Sequence, residues 1–215
     1  IDCLTNGSTP CAICSSGYRL KLWQALHAVR NTSMVGPLSN GGSGAPVAAS
    51  RHAGWPGIRI SGEASANHTI GLIQAANMWG TYAATAQAIT LHIGTNDILQ
   101  NRYASGAAAA ADMIPKLRAL LELIEALAPL THVYLSSIIS FAPEHPGYAP
   151  FNEQVRAYNS EMPGLVDSLR AAGMQVSFVD MARESPGTCS AAGSCCPGGV
   201  HPTAAGYAAM AQAWA

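Results

Sequence analysis

Charge is scarce in this sequence. Lys, Arg, Asp and Glu supply 11% of its 215 residues, against about 25% in ordinary soluble domains. The basic and acidic side chains nearly cancel, to a net charge of −1, and the basic ones do not cluster. Neutralising phosphates or lying on anionic lipid needs such a cluster, so neither nucleic acid nor a membrane surface is an expected partner. Long apolar runs are missing too, and none approaches the roughly 18 residues that a bilayer span requires. There is no internal repeat and no break in composition, so one domain over 1–215 is expected, large enough to bury a substantial core. No signal peptide precedes Ile1-Asp2-Cys3, which is the expectation for a mature or trimmed chain.

Cysteine is present only at the two ends, at positions 3, 11, 14, 189, 195 and 196. Cys11-Ala12-Ile13-Cys14 has the spacing of a zinc ligand pair, but the distal Cys195-Cys196 is adjacent and not a second such pair. Disulfides that staple loops are the better expectation, and no metal site is expected. Six cysteines allow about 15 pairings, so connectivity stays open. Three N-glycosylation sequons begin at Asn6, Asn31 and Asn67. With the cysteines they point to a secreted, extracellular and oxidised glycoprotein.

Periodicity supplies the fold class. Leu117, Leu120, Leu121, Ile124 and Leu127 follow the spacing of one buried helical stripe and predict a helix over 106–127. Further helices are predicted at 18–29 (apolar at Leu20, Leu22, Trp23 and Leu26), 151–172 and 202–215. Between them lie short runs rich in branched side chains, at 88–93, 133–139 and 176–179. Each is apolar enough to suggest burial on both faces, the pattern of parallel strands alternating with helices. The expectation is a three-layer α/β/α sandwich with a central, mostly parallel sheet. Ligands in such folds bind beyond the C-terminal ends of the strands.

One such strand end reads Gly94-Thr95-Asn96-Asp97. It makes a tight turn and aims a side-chain amide over the sheet edge, although Gly, Asn and Asp also end strands for purely conformational reasons. Other stretches follow in order: Gly17-Tyr18-Arg19 leading into LKLWQAL, Ser33-Met34-Val35-Gly36, RHAGWPGIRI containing Gly57, HIGTNDI, and finally GGVHPTAAGY at 198–207. Together these resemble the motifs of the SGNH (GDSL-type) hydrolases, in particular the acetylxylan-esterase-like branch, over residues 17–212. Ser33–Gly36 resembles that branch's second strand, and RHAGWPG its HEGHSGW motif.

The resemblance implies an SGNH/flavodoxin-like fold and an ester hydrolase in which an activated serine attacks an acyl carbonyl, with no cofactor required. His201 takes the place of the general base. Asn96 supplies its side-chain amide, and Gly57 its backbone N–H, to the oxyanion hole. Asp97 is expected to hold the loop. His92 reads equally as a core histidine or a substrate contact, and Trp55 as a sugar-stacking ring or a loop cap.

Two positions depart from the family pattern. Gly198 stands where an aspartate normally orients the histidine. Asp180, ending the strand at 176–179, is a candidate replacement, and a disulfide-pinned loop around Cys195-Cys196 is another. The GDS motif that carries the nucleophile is also absent. Asn6-Gly7-Ser8 aligns with it and offers Ser8, whereas Ile1-Asp2-Cys3-Leu4-Thr5-Asn6-Gly7 matches the longer GDSLTxG pattern and offers Cys3. A nucleophile upstream of Ile1 is the third possibility. Three functions follow: a secreted, monomeric esterase that removes acetyl or other small acyl groups from a polysaccharide or oligosaccharide; a catalytically impaired relative that binds glycan without hydrolysing it; and a cysteine hydrolase. A general lipase fits less well, because linkers such as Asn40–Pro46 are small and polar.

Overall fold

The structure is a computed structural model that describes residues 17–39, 45–54, 57–60, 82, 85–143, 145, 147–184 and 199–215. In chain order the elements are α1 (Arg19–Val29), β1 (Leu38–Ser39), α2 (Val47–Ser50), β2 (Arg51–His52), β3 (Ala88–Leu91), α3 (Thr95–Asn101), α4 (Gly106–Leu127), β4 (His132–Ser136), α5 (Ala149–Ala171), β5 (Val176–Val179), α6 (Met181–Glu184) and α7 (Ala204–Trp214). The described residues gather into two units: one holds those of 57–138 and 149–180, the other those before 57, of 139–148 and of 181–215.

The first unit is a parallel three-stranded sheet in the order β3-β4-β5, each strand returning through helix as parallel connections require. Its register pairs Ile89 with Val133 and Val133 with Val176, then Leu91 with Leu135 and Leu135 with Phe178. Since side chains alternate across a strand, these six apolar residues share one face. Val133 and Leu135 are wholly buried on it. The opposite face carries Ala88, Thr90, His132, Tyr134 and Ser177, with His132 Nε2 2.9 Å from Ser177 Oγ and the His132 and Tyr134 rings 4.5 Å apart. Ala88 and Thr90 are exposed there, and Tyr134 is 38% exposed. Burial on both faces, expected from the apolar runs, is corrected in part: Ala88, Thr90 and Tyr134 on this face are exposed, whereas Ser136 at its C-terminal end is wholly buried.

Helix α4 begins where Ser105 Oγ accepts the Ala108 N–H at 3.1 Å, satisfying a donor that no helical carbonyl reaches. Leu117, Leu120, Leu121 and Ile124 are buried as the stripe predicted, and each contributes about 1.5–3 kcal/mol relative to exposure. Leu127 departs from the stripe. It is the last helical residue and 44% exposed, and Ala128 just beyond it is the buried one. Helices α4 and α5 meet at Gly106, where a Cβ would stand 2.8 Å from Ala157 Cβ. Farther along, Arg118 Nη2 donates to Ser168 Oγ at 2.7 Å. Asn159 of α5 then clasps the residue beyond β4, accepting from Ile138 N and donating to Ile138 O at 3.0 and 2.8 Å.

In the second unit α1 packs on α7. Leu22 is the buried residue of α1, while Trp23 is tied by Nε1 to the Thr32 carbonyl at 2.8 Å. Tyr207 and Met210 are buried on α7. The strand expected at Ser33–Gly36 is not formed. Gly36 has φ +149 and lies so near the His52 peptide that a Cβ would fall 2.3 Å from its carbonyl carbon. Antiparallel pairing starts only beyond it, at Leu38–Ser39 with Arg51–His52.

Candidate functional site

The turn from β3 into α3 is built around Gly94. At φ +125, a Cβ there would meet Tyr158 Cε1 at 2.7 Å and Met113 Cε at 3.0 Å, so only glycine fits. Tyr158, fully buried, donates its hydroxyl to the Ile93 carbonyl at 3.3 Å and fixes the strand end from beneath. Asn96 follows as the second residue of α3.

From there α3 grips residues 57–60 one after another. Gln100 Nε2 donates to the Gly57 carbonyl at 3.0 Å, and Asn96 Nδ2 donates to the Ile58 carbonyl at 3.0 Å. Arg59 Nη1 donates to Asn101 Oδ1 at 2.9 Å. The Asp97 carboxylate accepts the Ile60 N–H, at 3.0 Å to Oδ2 and 3.3 Å to Oδ1. The structure thus brings Gly57 and Asn96, the two sequence-predicted oxyanion donors, together. Gly57 has φ +70, a conformation that favours glycine. An amide nitrogen carries two hydrogens. One on Asn96 anchors the loop, which leaves the other for a ligand oxygen. Gln100, Asn101 and Arg59 were not identified from sequence. For Gln100 and Asn101 the signal was their spacing, each four residues after Asn96 and Asp97 on the same helix; Arg59 carried none.

Asp97 holds the loop as expected, at a cost. Its carboxyl has no exposed surface, and burial raises its pKa from 3.8 to about 6 despite the Ile60 N–H that opposes the shift. A carboxyl with a raised folded-state pKa binds its proton more tightly when folded, so it adds stability below pH 4 that is lost as pH rises through 6. Two pKa units correspond to about 3 kcal/mol. Asp97→Asn keeps an oxygen for Ile60, and denaturant titration from pH 4 to 7 should show the wild-type decline flattened in this variant. An equal slope in both proteins would remove Asp97 as its cause.

His92, one residue past β3, has its Nε2 buried without a partner among the described residues, and burial lowers its pKa to about 4. It is neutral near pH 7. Asp180 ends β5 and accepts from Ser137 Oγ at 3.1 Å. No group of His, Cys, Asp and Glu suited to a metal occurs among the described residues.

His201 belongs to the second unit, on the segment that enters α7. Its ring is exposed, yet partial desolvation lowers its pKa below the usual histidine value, so the imidazole is neutral and able to accept a proton at pH 7. Thr203 caps the helix two residues on, its Oγ1 accepting the Gly206 N–H at 3.3 Å. Asn31 is exposed in the coil after α1. Ser8, Cys3, Asn6, Asn67, Trp55, Gly198 and all six cysteines lie outside the described residues.

A parallel α/β sheet with residues 57–60 tied to α3 beyond its C-terminal edge fits the class of SGNH-type ester hydrolases, and the family match shows it. The chain belongs to the GDSL-like lipase/acylhydrolase family, whose pattern matches residues 17–214. No curated protein matches it. Among solved structures it is similar to a Clostridium thermocellum family 3 carbohydrate esterase, at 22% identity over 94% of this chain and 88% of that one, with a TM-score of 0.68. A family 3 carbohydrate esterase from Talaromyces cellulolyticus is similar at 18% identity over 92% and 86%, TM-score 0.67. An acetyl esterase mutant with acetate ion is similar at 18% over 91% and 86%, TM-score 0.67. At these identities the likeness establishes the fold, the α/β/α architecture expected from the sequence.

Proposed function

We propose that this protein is secreted and removes acetyl or other small acyl groups from a polysaccharide. The observation that carries the reading is the grip of α3 on residues 57–60, in which Gln100 holds the Gly57 carbonyl and Asn96 the Ile58 carbonyl next to it. Donors fixed in advance stabilise an oxyanion because they need no rearrangement as charge develops. In this reading the Ser8 hydroxyl attacks the ester carbonyl while the His201 imidazole takes its proton. The carbonyl oxygen, now negative, collects the Gly57 N–H and the second Asn96 amide hydrogen. Collapse breaks the bond to the sugar oxygen, and the imidazolium returns the proton to it. Water then attacks the acyl-enzyme by the same route and releases the acid. These groups suffice, and the proposal includes no metal or organic cofactor.

The polysaccharide substrate is supported by the carbohydrate and acetyl esterases that share the fold. Secretion is supported by the terminal cysteines and by the exposed sequon at Asn31. The test is acetate release from acetylated xylan by the full chain. The proposal requires release at a rate comparable to that on a small aryl acetate. Retention on the polysaccharide with no acetate released would instead favour the glycan-binding reading that Gly198 suggests.

A further inference from the structure

The histidine loop of this chain lacks the family aspartate, and Gly198 stands in its place. Within its unit, no hydrogen bond among the described residues reaches the His201 ring. The residues just before His201 show how packing holds the backbone that carries it. Gly199 has φ +65, and a Cβ there would fall 2.8 Å from both Ala142 Cβ and Tyr148 Cε2. Its backbone is pressed against the Tyr148 ring and the Ala142 methyl. The Ala142 N–H donates to the Gly199 carbonyl at 2.9 Å, which locks that approach.

The residues doing the pressing are themselves braced. His145 N–H donates to the Ala142 carbonyl at 3.2 Å, and Tyr148 N–H to the His145 carbonyl at 3.0 Å, two successive turn bonds that tie Tyr148 back toward Ala142. The His145 and Tyr148 rings stack, 4.2 Å apart and 20° from parallel. Phe141, only 1% exposed, lies 5.2 Å from the Tyr148 ring on the core side. Beyond His201, Pro202 confines the preceding residue to extended backbone, and the Thr203 cap anchors the start of α7. His201 is thus bracketed by a clamp at Gly199 and a helix cap at Thr203, two residues away on either side.

We propose that Tyr148, braced by His145 and Phe141, is a positioning residue that orients His201 through Gly199 in place of the missing carboxylate. The inference rests on His201 being the general base. It assigns the orienting function to packing against the loop backbone, so the Tyr148 ring matters and its hydroxyl does not.

The test is steady-state kinetics on p-nitrophenyl acetate and on an acetylated xylo-oligosaccharide, with thermal melts of every variant. Tyr148→Ala should lower kcat on both esters by about tenfold or more, as expected for a displaced catalytic group, with KM changed less than about twofold. Tyr148→Phe should keep the wild-type kcat. If Tyr148→Ala does not fold, His145→Ala should show a smaller fall in the same parameter, about twofold or more, because it removes one stacked ring. Unchanged kcat in a folded Tyr148→Ala variant would overturn the proposal. So would a rise in KM confined to the oligosaccharide, since that is the mark of a substrate-stacking ring. His201→Ala is the control that separates the two claims: full activity there removes the base assignment itself, whereas loss there with an unaffected Tyr148→Ala removes only the positioning role.

Discussion

Replacing His201 with alanine should reduce hydrolysis of p-nitrophenyl acetate by about four to six orders of magnitude, the usual consequence of deleting the base of a nucleophile–histidine pair. The magnitude follows from the chemistry. A serine hydroxyl is a weak nucleophile near pH 7, and without an acceptor its proton must go to water. His201 suits the task because partial desolvation keeps its imidazole neutral. The residue is exposed and lies outside the packed core, so the variant should melt with the wild type. Single-turnover kinetics on the folded variant make the check. A loss of less than about tenfold would mean that another group accepts the proton.

Asn96→Ala should lower kcat by about two to three orders of magnitude, or about 3–4 kcal/mol, as removal of one oxyanion donor does. Two effects combine at this position. The variant loses the hydrogen bond offered to the oxyanion, and it also loses the bond to the Ile58 carbonyl that helps hold the Gly57 peptide. The remaining ties from Gln100, Asn101 and Asp97 should keep the loop in place, so the deficit should appear in kcat with little change in KM. Gln100→Ala separates the two effects. It frees the Gly57 carbonyl while leaving the Asn96 amide intact, and should cost far less. Equal losses in both variants would show that loop geometry, and not the amide donor, limits the rate.

The legibility of this protein in its sequence follows the range of the interactions. Helices α4 and α5 were readable because their stripes repeat within one turn, and β5 because Val176–Val179 is bounded by polar residues. Asn96 was readable for the same reason: Gly94, Asn96 and Asp97 declare a strand-to-helix turn locally. The partners of those residues were not. Ile58 and Ile60 lie 38 and 37 positions from Asn96 and Asp97, and nothing in a local window pairs them. The clamp of Tyr148 and Ala142 on Gly199 is longer in range still. The strand alternation was visible in principle, as the Thr90, Tyr134 and Ser177 row. The β-branched and aromatic residues around it made the runs look uniformly apolar. The missing strand at Ser33–Gly36 had a local sign in Gly36, whose positive φ suits a close backbone approach and not a ladder.

The central claim is that a serine and His201 act together as a hydrolase, and covalent labelling tests it most directly. The full chain and its His201→Ala variant would each be treated with a fluorophosphonate, and any adduct located by intact mass and peptide mapping. The account predicts one adduct per wild-type chain, on Ser8, and labelling slowed by orders of magnitude in the variant. A wild-type chain that forms no adduct, or a variant labelled as fast as the wild type, would contradict it.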